Sequence, residues 1–372
     1  MLALVLATFV ANVSDGNALT LPAQRHLVQV GGTTLLALQQ GGADGRGLGF
    51  FRSDDGGGSW SWYAPIQDDA GHTDRADLLA VGADVALVYS FEGPTLYGSS
   101  RHDVWFQWWR ASGSDWSPSG AVRVFQSPGD SGGYYRAELA IDSNGYIWVQ
   151  AFRIEDGGGA TATIAVSTDG GNSFAEQPSL GYVGARGGGR ILSLGSSMIF
   201  LYGSHGCCDP GRMLTRNDSD PLYSWSGPSN AIPDGLYHGA ALSAVADGGG
   251  MHLVYKSLGE RMYYRYFNGG SFSDPQLVED VPDWATQAST TLVGSSLVIC
   301  YNHPVSSGTD YRFYRRTVDG GLVGDAVSLD DSGGFKGYPT ALATASSAPM
   351  CMVGRTPDAN SSGAVELVQG GY

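Results

Sequence analysis

Lysine is almost missing from this sequence. Lys256 and Lys336 are the only two, and the 372 residues carry a formal charge of −15. A face that neutralises phosphates needs clustered cations, so nucleic acid is excluded as a partner. Adhesion to an anionic membrane is disfavoured for the same reason. Long apolar runs are missing too: the N-terminal MLALVLATFV is too short to span a bilayer. That run also has no basic leader and no small-x-small cleavage site, so it reads as a strand and not as a secretory signal. Cysteine is scarce, and four residues make no disulfide framework at this length. Cys300 (in LVICYN) and Cys351 (in PMCMVG) sit in apolar strand-like runs and read as buried free thiols. Cys207 and Cys208 are adjacent in SHGCCDPG, where two free thiols are expected and a vicinal disulfide is the alternative. With His205 and Asp209 they form no known zinc spacing, and neither metal nor cofactor is expected. Helical spacing of apolar residues is absent throughout.

Glycine and aromatic residues are abundant: Gly numbers 56 and aromatics reach 11%. That mixture predicts many short strands joined by tight turns. The stretch RSDDGGGSWSW contains S-x-D-x-G-x-x-W at Ser53, Asp55, Gly57 and Trp60, and the pattern returns at Ser167, Asp169, Gly171 and Phe174. Weaker echoes close at Trp116, Trp225, Phe272 and Leu322, so a unit of about fifty residues repeats. Each unit opens on two apolar runs joined by a Gly, Ser, Asn or Asp turn, as in RADLLAVGADVALVYS, and seven such hairpins occur. A third strand with alternating aromatics follows, as in DVWFQWWRAS. Four short antiparallel strands per unit, arranged in a ring, form a β-propeller. The expectation is an all-β, seven-bladed propeller in one domain over residues 1–372, with six blades and a stray hairpin as the alternative. The last unit lacks an outer strand. The N-terminal strand is expected to supply it, which would hide the two edges of an open array.

These residues resemble the Asp-box, or BNR-repeat, propellers of the sialidase type. The two motif copies carry the resemblance in sequence, and the repeat carries it across the whole chain as architecture. It implies that the Asp turn joins the third and fourth strands on the face away from the ligand site. There the Asp accepts turn amides, Gly takes positive φ and the closing aromatic wedges between blades. Sialidases also carry an early Phe-Arg-Ile-Pro segment, three carboxylate-clamping arginines, a Tyr–Glu nucleophile pair and an acid/base Asp. The nearest string here, Phe152-Arg153-Ile154-Glu155, lacks the Pro and lies in the third unit. The sialidase catalytic set is not matched. Seven blades fit better with the polysaccharide lyases and sugar-binding propellers that share the repeat.

In a propeller the loops entering each first strand, and those joining second to third strands, share one face around the channel mouth, where ligands sit. The entry loops supply His72, Asp74, Arg75, then Tyr134, Tyr135, Arg136, then Arg186, Arg190, then Tyr237, His238, then Trp284, Gln287, and finally Lys336 and Tyr338. The second-to-third loops supply Tyr97, Arg101, His102, Glu155, Asp156, His205, Asp209 and His303. Five of the seven histidines map to this face, while His252 lies in a strand and reads as structural. Aromatic planes stack on sugar rings and Arg forks pair with carboxylates, so an acidic glycan is the expected partner. Contacts are expected from His72, Asp74, Tyr135, Arg186, Arg190, His205, Trp284 and Tyr338. For catalysis, Tyr237 and His238 beside Arg136 and Arg75 could remove the proton α to an Arg-neutralised uronate carboxylate. Asp74 and Glu138 are the alternative pair for hydrolysis. Two main functions stay open. One is a recognition module on an extracellular or virion surface, such as a phage component contacting other virion proteins. The other is a polysaccharide lyase or glycoside hydrolase acting on acidic polysaccharide. An intracellular scaffold that uses the ring rim is a third class.

Overall fold

The computed structural model describes residues 6–13, 18–19, 23–40, 47–67, 75–90, 103–127, 133–154, 159–178, 180, 182–184, 188–203, 210–237, 241–280, 286–306, 309–345, 349–356 and 362–369. They form seven sheets of at least four strands each, antiparallel except where Leu292 and Val293 run parallel to Thr344 and Ala345, and no helix occurs among them. The inner strands are Leu27–Val30, Arg75–Val81, Tyr134–Ile141, Gly188–Leu194, Leu242–Ala246, Ala288–Val293 and Phe335–Ala341, one per blade. This is the seven-bladed propeller that the repeat predicts.

Seven apolar clusters form the core, one in each gap between neighbouring blades. A middle strand is therefore covered on both faces. Ile147–Ile154 (IWVQAFRI) is buried along its first six positions, and such strands read as continuous apolar runs without alternation. Outer strands face solvent: Ser226–Ile232 is buried only at its last two residues.

The seventh blade holds both ends of the chain. Leu6–Val13 pairs antiparallel with Gly363–Gln369, from Leu6 opposite Gln369 to Val13 opposite Gly363. The N-terminal strand closes the ring as expected.

One expectation fails here. Cys300 and Cys351 are joined in a disulfide, with Cα atoms 6.2 Å apart. They lie on the second strands of blades 6 and 7, one repeat apart at a sequence separation of 51. Apolar context alone suggests free thiols. The ring sets the two strands face to face across one blade gap, within the separation a disulfide needs. Intact protein is expected to gain two thiols only on reduction and unfolding, as counted by alkylation mass. The double variant C300S/C351S is expected to lose about 2–4 kcal/mol in denaturant melts, because the bond closes a long loop.

Candidate functional site

Strand direction divides the turns between two faces. First-to-second and third-to-fourth turns share one face; entry loops and second-to-third loops share the other. The Ser53–Trp60 turn lies between the third and fourth strands of blade 1, and Ser167–Phe174 takes the same place in blade 3. Both use one hydrogen-bond scheme. The Ser53 hydroxyl donates to Asp55 (2.9 Å) and accepts from the Gly57 amide (2.8 Å), while Ser59 gives its amide and hydroxyl to Asp55. Ser167, Asp169, Gly171 and Ser173 repeat each bond. Hydrogen bonds from Ser59 and Ser173 hold the Asp55 and Asp169 carboxyls down at about 2. Gly171 has φ of +93°, and a Cβ there would meet the Phe106 ring at 2.4 Å, so no other residue fits. Phe174 packs on Phe106 of the neighbouring blade. Leu322, which occupies the equivalent position in the weakest echo, is 71% exposed and wedges nothing.

The opposite face, predicted to bind ligand, has a closed centre. Residues 23–26 immediately precede the inner strand of blade 1 and stopper the channel. The Gln24 amide donates to the Ala137 carbonyl, and Leu78 N donates to the Arg25 carbonyl. Arg25 forks onto Asp77 through Nε and Nη2, and Nη2 also reaches the Leu139 carbonyl. From blade 4, Arg190 Nη1 donates to the Ala23 carbonyl (2.6 Å) and to Asp77 (3.0 Å), and lies 3.5 Å from Glu138. Asp77, Glu138 and Arg190 are fully buried. Burial drives the Asp77 carboxyl up, but Arg190 and Arg25 outweigh it and hold the group at about 2. Glu138 has weaker compensation, and burial pushes it up to about 8.

This network corrects several expectations. Arg190 was expected to grip a glycan, yet its cation is spent on the stopper. Glu138 was expected as one of a hydrolytic pair; it lies inside the channel and meets no bulk solvent. Tyr135 is buried against Phe152, and Tyr134 stacks on Phe125 at 4.8 Å, so neither offers a ring to a sugar. Tyr338 is buried against Phe335. An entry loop becomes an inner strand within a residue or two, so aromatics assigned to loops can fall inside the blade gaps. Lys336 is buried too, donating to the carbonyls of Tyr311 and Ser332, and burial lowers its pKa.

The remaining described positions do gather on that face. Arg136 is half-buried, 5.2 Å over the Tyr135 ring. Tyr237 is half-buried with the Lys256 ammonium 4.4 Å above its ring. His303 Nδ1 lies 3.3 Å from Glu279 across the gap between blades 5 and 6, and the Gln287 amide donates to Asn302. Arg75 opens the inner strand of blade 2 opposite Ser90. His72, Asp74, Tyr97, Arg101, His102, Glu155, Asp156, Arg186, His205, Cys207, Cys208, Asp209, His238 and Trp284 lie outside the described residues. His252 sits on the far face, between Tyr264 and Asp247, in the structural setting expected.

Backbone strain adds a signal that no motif gave. The non-glycine residues at positive φ among those described are Arg136 (56°), Glu260 (63°) and Tyr338 (54°). Glu260 stands in a second-to-third turn on this face, while Arg136 and Tyr338 lie at register shifts within the inner strands of blades 3 and 7. Left-handed turns on the other face use glycine, as at Gly31, Gly82, Gly195 and Gly294. Arg25, Asp77 and Glu279 went unnoticed in the sequence. The signal for Asp77 was there: a lone acid inside the apolar inner strand RADLLAV.

No protein-family model and no curated protein matches the chain. Solved structures do share its fold. An ulvan lyase from a new polysaccharide lyase family is similar at 12% identity and TM-score 0.58, over 99% of this chain and 96% of that one. Trypanosoma rangeli sialidase is similar at 11% identity and TM-score 0.54, over 99% of this chain and 60% of the sialidase. A Hadza microbial sialidase gives 10% identity and TM-score 0.51, over 79% and 63% of the two chains. The chain thus spans roughly three-fifths of the sialidases it matches. The shared property is the sialidase-like propeller fold.

Two outcomes are expected for the stopper. Asp77→Asn leaves two buried guanidiniums without their counter-charge and should cost about 3–5 kcal/mol in urea melts. Glu138 titrates from about 4.5 when unfolded to about 8 when folded, so the native state holds the extra proton between those values. Stability therefore falls as pH rises through that window, by up to about 1.4 kcal/mol per pH unit. Glu138→Gln should flatten this slope; equal slopes in both proteins would assign the titration elsewhere.

Proposed function

We propose that the protein binds an acidic glycan on the face formed by the entry and second-to-third loops, above the channel stopper. The strained backbone on that face carries the reading. Holding a non-glycine residue left-handed costs on the order of 1–3 kcal/mol, and glycine would relieve it. Glycine takes some left-handed positions on this face too, at Gly235 and Gly334, yet Arg136 and Glu260 hold theirs with half-buried side chains, while every described left-handed residue on the far face is glycine, which supports selection for those two. Arg136 and Tyr237, both half-buried, supply a cation and a ring suited to a sugar carboxylate or sulfate.

The neighbours support the ligand class. The Trypanosoma rangeli sialidase takes 2,3-difluorosialic acid, and the ulvan lyase binds a GlcA–Rha3S segment. The Ser53–Trp60 and Ser167–Phe174 turns are assigned to the Asp-box type. The Cys300–Cys351 disulfide supports a setting outside the reducing cytosol, such as a secreted or virion surface.

Recognition without turnover is the primary reading, since the sequence does not match the sialidase catalytic set. The near-complete mutual coverage with the ulvan lyase favours a lyase as the second reading. Calorimetric titration with uronate oligosaccharides is expected to show saturable binding, weakened at least tenfold in R136A, which is about 1.4 kcal/mol. Equal affinity for neutral oligosaccharides would overturn the acidic-glycan reading. New unsaturated uronate ends, seen as ultraviolet absorbance, would replace recognition by the lyase.

A further inference from the structure

Beneath the stopper the channel continues as a blind cavity of about 290 Å³, open toward the face that carries the Asp turns. Its mouth is formed by the last residues of the inner strands, among them Gln29, Ala80, Ser193 and Ala246. Its walls are apolar, built by Leu78, Leu192 and Val245 and their counterparts around the ring. At the inner end stand the two guanidiniums of Arg25 and Arg190.

The charges at that end do not balance. Arg25 commits Nε and Nη2 to Asp77 and the Leu139 carbonyl, while its Nη1 makes no protein hydrogen bond among the described residues. Its side chain keeps 14% exposure in an otherwise closed network. Arg190 is nearly inaccessible, and its Nε and Nη2 have no hydrogen-bond partner. Against these two cations stand Asp77, fully ionised, and Glu138, whose Oε2 is without a hydrogen bond. With Glu138 pushed up to about 8, the cluster holds a net positive charge at neutral pH. An uncompensated buried charge is costly, and an anion delivered through the cavity would offset it.

Size narrows the ligand. A dry apolar cavity of about 150 Å³ accepts benzene, so this one takes a body of roughly ten non-hydrogen atoms. We propose that the channel cavity is a binding site for a small organic anion: a carboxylate headgroup directed at Arg25, with a short apolar tail along the Leu and Val walls. The site faces away from the proposed glycan surface and does not depend on it.

The experiment is calorimetric titration and thermal melting of the full chain with octanoate. Octanol and octylammonium serve as uncharged and cationic matches, and acetate as a headgroup without a tail. Saturable binding and a raised Tm are expected for octanoate, with at least tenfold weaker binding of the other three. Ala80→Trp obstructs the mouth without touching the charges; it should keep its own cooperative melt and lose the octanoate shift. Arg25→Gln should lose the preference of octanoate over octanol; if it fails to fold, the ligand series and A80W still decide. Octanol matching octanoate, an octanoate shift surviving in A80W, or no octanoate shift at all would each overturn the proposal.

Discussion

Ring closure is the constraint on which everything else in this molecule rests. A blade is a thin sheet with two apolar faces, and only a neighbour on each side can bury both. An open row would leave two blade faces and two strand edges in water. Pairing Leu6–Val13 with the last strand removes both problems at once. Residues 23–26, which lie in sequence between that rim strand and the inner strand of blade 1, sit in the channel. The same stretch of chain that locks the ring also stoppers it. The disulfide between blades 6 and 7 reinforces the neighbouring seam, next to the one blade built from two distant pieces of sequence.

The two faces of the ring are governed by different rules. On the far face, hairpin and Asp turns are relaxed: glycine takes the left-handed positions, and a Ser–Asp pair satisfies the turn amides within the loop. Nothing there asks for a particular side chain beyond the turn chemistry. On the near face glycine does only part of that work, at Gly235 and Gly334, and Arg136, Glu260 and Tyr338 are held in the same backbone region without its ease. A scaffold alone gains nothing from that choice. The contrast within one molecule is stronger than any single outlier, because both faces solve the same geometric task.

Architecture was legible in the sequence because it is repetitive. Each Asp turn, apolar hairpin and aromatic strand gave an independent register mark, so the seven blades and the N-terminal closure could be counted without knowing any contact. The site was less legible because its residues depend on depth. Tyr135, Arg190 and Tyr338 are the second, third and fourth residues of their inner strands, and a shift of one residue moves a side chain from the open face into a blade gap. Arg25, Asp77 and Glu138 act together only because the ring brings residues over a hundred positions apart into one channel; the Gln24 to Ala137 bond alone spans 113. No spacing rule reaches that far. The disulfide was hidden for a related reason, since its two cysteines look apolar one strand at a time and become partners only across a gap.

The ionic stopper raises the question of why a channel that leucines could fill holds charges instead. Replacing buried ion pairs with well-packed apolar groups often leaves stability unchanged or improves it. What an apolar filling lacks is direction. Arg25 and Arg190 tie the segment to blades 2, 3 and 4 through carboxylates and carbonyls, with Asp77 as the shared hub, so the segment fits in one register only. A greasy plug could slide by a residue and leave the closing strand mispaired with its partner. The charges cost desolvation, and in return they couple the register of the stopper to that of the strand that completes the ring. The same choice leaves the channel floor positive in a protein whose net charge is −15. A single device therefore sets both the order of closure and the chemical character of the space beneath it.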